Sequence, residues 1–563
     1  QYSPITWLTF KSTFAPSFTN ARRGRAWGAM TNRGISNNNL PSADLENSQN
    51  FNYTWDNQFD IDYDIDENNS LSLLGLQSLF STRTEGSSIS ARNLPFDTDF
   101  YNIGSGDQST YNIGSFFVKQ TLASFALRLN YSYKDKILIT LSNRWDGSSL
   151  LSEDNRWDNF PSGAIAWNIS EEDFLANSPA ISFLKLRASY GFTGNNIIAP
   201  YSTVNSLDQQ TYYDYYGTTA NGWLPSALAN TALGWEKTRE ANFGIDFGFA
   251  KERIIGSIDV YDRLSDDLLL EQRLPVESGF EFINANVGSV SNKGVEIALT
   301  TRNIKKKNLF WETTFTFTRN RNEIVSIYGQ DEVDDVGNSW FIGESINSHY
   351  NYVFDGIWQA NQRDEAASYG QLEGQGRVQD LNGDGVIDPD DDRTILGSSD
   401  PIWTGSLFSN LRMGNFDLSF SVLATQGVYV YSPFHENFTN TRDRGRQKLD
   451  IDWYIPENGA GIPAQFSNNY PQARNMGTYW RNDGVGYYRD ASFVKVKNIA
   501  LGYSLGQSTL SNLGIGSLRV YANVINPFVF TDYDGYDPEW ADASFSIGRV
   551  GSVIYQLGLN ANF

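Results

Sequence analysis

The 563 residues contain no cysteine, two histidines and three methionines. Without cysteine there are no disulfides, no thiolate nucleophile and no Cys-ligated zinc or iron–sulfur site. His349 and His435 alone cannot build a His-rich metal centre. Positive charge is scarce as well: 43 Lys+Arg face 65 Asp+Glu, a formal net charge of −22. That balance argues against a nucleic-acid partner, because binding phosphate backbones needs a surplus of Lys and Arg. No run approaches the ~18 apolar residues of a membrane-spanning helix, and helical periodicity is hard to find anywhere. The chain starts at Gln1 with no basic-then-apolar leader, which reads as a processed or partial polypeptide.

What is abundant is aromatic: 14% Phe, Trp and Tyr in an otherwise polar composition. A transmembrane β-barrel needs that pairing, with lipid-facing apolar residues alternating with lumen-facing polar ones between aromatic girdles. Period-2 patterning recurs down the chain. Phe125, Leu127, Leu129, Tyr131 and Tyr133 alternate with Ala126, Arg128, Asn130 and Ser132. Phe416, Leu418, Phe420 and Val422 do so against Asp417, Ser419 and Ser421, and the chain ends on Tyr555, Leu557, Leu559, Ala561 and Phe563. The class is all-β.

About sixteen strands are expected, near 5–10, 51–63, 70–80, 122–133, 136–146, 159–170, 184–193, 238–249, 253–263, 294–303, 310–325, 402–413, 415–427, 493–505, 517–528 and 550–563. Alternate joints are short: 64–69, 134–135, 171–183, 250–252, 304–309, Gly414 and 506–516. The others are long (11–50, 81–121, 194–237, 264–293, 326–401, 428–492 and 529–549), with 147–158 the exception. An outer-membrane barrel sorts its connections this way, with short periplasmic turns and long extracellular loops. An array of β-sandwich modules, the competing reading, would show turn signals every ~8–12 residues and a repeat, and no repeat is present. The expected location is the outer membrane, in contact with its lipid.

Several ordered stretches carry a family resemblance: 184–195 (LKLRASYGFTGN), 235–244 (WEKTREANFG), 286–297 (NVGSVSNKGVEI), 380–397 (DLNGDGVIDPDDDRTILG), 530–539 (FTDYDGYDPE) and the terminal LGLNANF, with a looser match at LPFD, 94–97. Here the chain resembles the C-terminal part of the SusC/RagA family of TonB-dependent outer-membrane transporters. The resemblance implies a large plugged barrel, a signal peptide, a plug and a TonB-contacting segment, none of which precedes the strands here. Barrels of that type have 22 strands, so about six strands and the plug are expected from further polypeptide. On this expectation, residues 1–563 are the C-terminal part of the barrel with its long extracellular loops, and do not close a barrel alone. The resemblance further implies import of a nutrient, an oligosaccharide or peptide, with a SusD-like surface lipoprotein as lid and the TonB complex as energy source. A passive porin or a structural barrel in an envelope assembly is the alternative, since sixteen strands is itself a porin number.

Asp380, Asn382, Asp384, Gly385, Val386, Asp388 and Asp391 follow calcium-loop spacing. Oxygens at positions 1, 3, 5 and 12 surround one hard cation, the position-7 carbonyl (Val386) and position 9 (Asp388) complete it, and Gly at position 6 allows the turn. Asp391 stands where Glu is usual. A structural Ca²⁺ is expected; the alternative is an acidic turn held by its own Asx hydrogen bonds. Tyr212, Tyr213, Tyr215, Tyr216 and Trp223 lie in the 194–237 connection. They are candidate substrate or lid contacts, or else they pack that loop or belong to the outer girdle. Trp340, Trp358, Tyr479, Trp480 and Trp540 share the ambiguity. Lys305, Lys306 and Lys307 read as solvated turn charge near lipid headgroups, and each histidine as a loop hydrogen-bonder. Phe563, an aromatic C-terminus on an alternating strand, resembles the signal read by the outer-membrane assembly machinery. Paired acids such as Asp334 and Asp335 are too common here to mark a glycosidase, and no enzyme motif is present.

Overall fold

The computed structural model describes residues 1–175, 178–439, 449–457, 463–473, 477–506, 510, 515–543 and 551–562. Seventeen strands belong to one sheet. The strand beyond the expected count is Tyr2–Ile5, which turns through Thr6 and Trp7 to pair with Leu8–Trp27. The expected strand at 5–10 therefore straddles a turn. The chain divides into two compact units, residues 1–167, 187–241 and 264–289, and residues 168–186, 242–263 and 290–563.

In the first unit the expected loops 11–50 and 81–121 are largely strand. Leu8–Trp27 and Ser42–Asp66 pair without a break from Leu8 opposite Ile61 to Trp27 opposite Ser42. Asn69–Arg92 and Asn112–Tyr133 extend the ladder. At ~3.3 Å per residue the 25-residue strand Ser42–Asp66 reaches about 80 Å. Even tilted, that exceeds the ~25 Å apolar band of an outer-membrane barrel. The outer halves (SFTNARRGRAW against SADLENSQN) are polar on both faces. Where neither face meets lipid nothing enforces alternation, although the backbone ladder continues. The short turns behave as expected: Lys134 (φ 52°) and Asp135 (φ 54°) supply the two left-handed positions of a tight hairpin.

The second unit shows the two faces of the sheet most clearly, in Trp403–Met413, Phe416–Gln426, Phe493–Ser504, Ser517–Thr531 and Ile554–Asn562. On one face Leu418 lies opposite Leu501, Leu501 opposite Ala522 and Ala522 opposite Leu557. This row is bare: Leu501 is 51% exposed and Leu557 87%. On the other face Arg519 donates to Asp417 at 3.0 Å, and Asn498, Asn523 and Gln556 hydrogen-bond in series. Such an apolar outer row is costly in water and neutral in hydrocarbon. Among the described residues no helix is long and apolar enough to cross a membrane.

The largest buried side chains, Trp480, Tyr454 and Tyr487, lie in the long 428–492 connection rather than under the sheet. The packed cores are thus made by loops, against strand ends.

Candidate functional site

Inside the 194–237 connection, Ser206–Tyr215 and Thr218–Ala227 form a separate two-stranded hairpin, with Tyr215 opposite Thr218 and Tyr213 opposite Ala220. Tyr216 (φ 51°) and Gly217 (φ 78°) make its turn. All five aromatics expected as contacts sit on this hairpin, and all are exposed, Tyr216 to 93%. The ring centroids of Tyr215 and Tyr216 are 4.8 Å apart, edge to face. The rings are exposed, and their strands lie outside the large sheet. The other aromatics divide: Trp358 and Trp480 are buried, whereas Trp540 is exposed.

Residues that sequence reasoning missed gather around His435, on the short helix Pro433–Thr439. Ser432 Oγ is 2.9 Å from His435 Nδ1, and His435 Nε2 is 2.7 Å from Asp534 Oδ1. Tyr470 donates to Asp534 at 2.7 Å and Arg489 at 3.3 Å. Ser432 and His435 are fully buried, and Ser432 Oγ is also bonded to Tyr533 Oη, so no substrate reaches the oxygen. These contacts tie four stretches of chain together, around His435, Tyr470, Arg489 and Asp534.

Burial pushes the His435 imidazole below its ordinary range, against the pull of Asp534. Burial also pushes Asp534 upward, but His435, Tyr470 and Arg489 outweigh it and hold the carboxyl well below the usual carboxylate range. Both folded values are depressed, so both contributions weaken on acidification. His435 acts first, as pH falls below about 6.5, where the opened loop takes a proton that the packed one refuses. Protease sensitivity around Pro433–Thr439 is expected to rise from pH 7.5 to 5, and His435→Gln to flatten that rise. His349 is the expected loop hydrogen-bonder, 2.9 Å from Ser399 Oγ.

The acidic loop is closed by its own amides. Asp380 accepts from Gly383 N at 2.6 Å and Gly385 N at 2.8 Å. Asn382 accepts from Asp384 N, Asp384 from Val386 N, and Asp388 from Asp390 N and Asp391 N. Gly383 and Gly385 take the left-handed positions (φ 75° and 85°). Burial raises Asp380, but the amides of Gly385 and Gly383 and the Tyr369 hydroxyl together hold it below the ordinary carboxylate range. Asn382 Nδ2 lies 3.2 Å from Asp384 Oδ2 and 3.4 Å from Asp391 Oδ2, so these two carboxylates share one donor. The anchor that sequence reasoning overlooked is Asp392, fully buried, which accepts from Leu381 N and Asp388 N and pins both ends. Among the described residues no group of three or more Asp, Glu, His or Cys side chains is arranged to hold a metal ion. Phe563 lies outside the described residues; its strand, Ile554–Asn562, ends one residue before it.

Residues 3–526 match the family described as TonB dependent receptor-like, beta-barrel. The chain belongs to that family. TonB-dependent receptor SusC of Bacteroides thetaiotaomicron is 34% identical over 80% of this chain and 44% of its own length. TonB-dependent receptor P26 of Formosa agariphila is 31% identical over 98% of this chain and 56% of its own. The solved RagAB peptide transporter shares the fold, with a TM-score of 0.81 at 24% identity over 99% of this chain and 60% of that one. The chain spans about half the length of the curated relatives it matches. It is part of a SusC/RagA-type transmembrane β-barrel of the outer membrane, and its family is one of transporters.

Proposed function

We propose that this chain is the C-terminal barrel portion of a TonB-dependent importer that brings a nutrient, an oligosaccharide or peptide, across the outer membrane. The match over residues 3–526, joined to the likeness to SusC, carries the reading. The reading gives the protein no catalytic role. It needs a plug, a TonB-contacting segment and about six further strands, which it assigns to polypeptide outside these residues. It also takes a SusD-like surface lipoprotein as lid, met by the extracellular loops. The bare aromatic hairpin suits that side, since stacked rings bind sugar faces or peptide side chains. The test is uptake of labelled oligosaccharide or peptide by cells carrying the receptor, with and without TonB and with a protonophore. Loss of uptake in both conditions is expected; uptake indifferent to both would leave the passive porin. Trp223→Ala with Tyr216→Ala is expected to weaken capture and leave assembled barrel unchanged.

We further propose that the Asp380–Asp391 loop takes one structural Ca²⁺. The ligands would be Asp380, Asn382, Asp384, the Val386 carbonyl, Asp388 and Asp391, with Asn382 offering its oxygen in place of the amide nitrogen. Clustered carboxylates repel until a cation arrives, so order and ion binding are coupled. Chelator is expected to increase protease cleavage within 380–392 and calcium to reverse it, with Asp384→Ala insensitive to both. Cleavage indifferent to chelator would leave the self-closed acidic turn.

A further inference from the structure

The chain is strongly acidic, yet one short stretch of rim is not. In the second unit, one turn carries Lys251 and Arg253, and a second hairpin end carries Lys305 and Lys306 on its strand and Lys307 in its turn. The first precedes Ile254–Asp266; the second joins Gly288–Lys306 to Leu309–Ile327. The turns are neighbours. Arg302 N donates to Arg253 O at 2.7 Å, and the Arg253 guanidinium donates to the carbonyls of Arg302 and Asn303 at 3.3 and 2.7 Å. Glu252 and Glu312 pair with Arg302, at 3.3 and 3.4 Å. Lys251, Lys305, Lys306 and Lys307 are exposed, and none is in a salt bridge among the described residues. The two neighbouring turns thus bring Lys251, Arg253, Lys305, Lys306 and Lys307 to one stretch of rim, where basic charge outnumbers acidic.

The strands leaving these turns say where the cluster sits. Ile254 and Val260 on one strand, and Trp311 and Phe315 on the other, are exposed apolar side chains at even spacing. This is the start of a lipid-facing row, with Trp311 at the interfacial position that tryptophan prefers. Short turns of such barrels face the periplasm, so the ammonium groups lie level with headgroup phosphates of the inner leaflet. The first unit differs: its turn between Ser42–Asp66 and Asn69–Arg92 carries Asp64, Asp66 and Glu67.

We propose that the paired turns of Lys251, Arg253, Lys305, Lys306 and Lys307 bind headgroup phosphates of an anionic phospholipid, of the phosphatidylglycerol type, in the periplasmic leaflet. The proposal rests on the membrane placement and not on import, since a porin would bind the same lipid.

The test is native mass spectrometry of the detergent-purified receptor containing this chain, offered equal dioleoyl phosphatidylglycerol and dioleoyl phosphatidylcholine. Wild type is expected to retain phosphatidylglycerol preferentially, and to lose the preference as salt rises and screens exposed charges. Lys251→Ser with Lys305→Ser, Lys306→Ser and Lys307→Ser is expected to reduce the preference at least about tenfold, since each lysine near an anionic surface adds to the attraction. Asp66→Asn with Glu67→Gln should not reduce it. Equal retention of the two lipids by wild type overturns the proposal whether or not the lysine variant assembles. An unaltered preference in an assembled lysine variant overturns it too, as does displacement of the lipid by millimolar inorganic phosphate, which would make the site one for the free anion.

Discussion

Leu501→Arg is expected to remove most of the assembled barrel from the outer membrane, while Gln556→Arg leaves it intact. Leu501 lies on the apolar face, aligned across the strands with Leu418, Ala522 and Leu557. Leu501 lies three residues from the end of Phe493–Ser504, about 10 Å along the strand at ~3.3 Å per residue and so within the ~25 Å apolar band. A charged residue costs about 2–4 kcal/mol at the middle of that band and near zero at its edges. Gln556 is on the opposite face, hydrogen-bonded to Asn523, where an arginine finds water and polar neighbours. The two changes insert the same side chain into the same sheet and differ in the face it occupies. Heat-modifiable electrophoretic mobility of membrane fractions reads the outcome. Equal loss in both would mean that arginine harms the fold generally, and equal tolerance would mean that the apolar face does not meet lipid.

That face was the legible part of the sequence. Lipid on one side and water on the other write alternation into residues such as 416–422 and 555–561, so strands there were expected within a few residues of where they lie. Above the lipid the constraint ends. The outer halves of Leu8–Trp27 and Ser42–Asp66 are polar on both faces and read as loop, although they pair residue by residue. The aromatic hairpin was hidden for a related reason, since Tyr212 and Tyr213, then Tyr215 and Tyr216, are adjacent pairs and break any period of two. The family stretches were visible as strings without reasons. Now WEKTREANFG and NVGSVSNKGVEI have one: Gly234 N donates to Asn286 Oδ1 at 2.8 Å and Asn286 Nδ2 returns to Gly234 O at 3.0 Å. Beside this clamp, Trp235 is buried against Leu151 and Phe160. Partners 52 residues apart cannot be paired from one sequence.

The stretch FTDYDGYDPE has a second such reason, and it yields the other large expected effect. Lys495, on Phe493–Ser504, is 1% exposed. Its ammonium donates to both oxygens of Asp537, at 3.0 and 2.7 Å, and to Glu539 at 2.5 Å. Asp537 also caps the short turn Pro538–Trp540 by accepting from Glu539 N at 3.1 Å. One lysine thus fastens the loop after Ser517–Thr531 to the neighbouring strand. Lys495→Met keeps the hydrocarbon stem but leaves the buried Asp537 carboxylate without its cation, a change that costs about 3–5 kcal/mol. Lys497 also reaches Glu539, at 2.8 Å, but is partly exposed, so Lys497→Met should cost below ~1 kcal/mol. Hydrogen exchange across 530–543 is expected to quicken strongly in the first variant and little in the second. Because Asp534 in the same loop holds His435, Tyr470 and Arg489, the disturbance should spread to Pro433–Thr439 while the strands stay protected. Equal, small effects of the two substitutions would show that water reaches Lys495 and that the loop is fastened elsewhere.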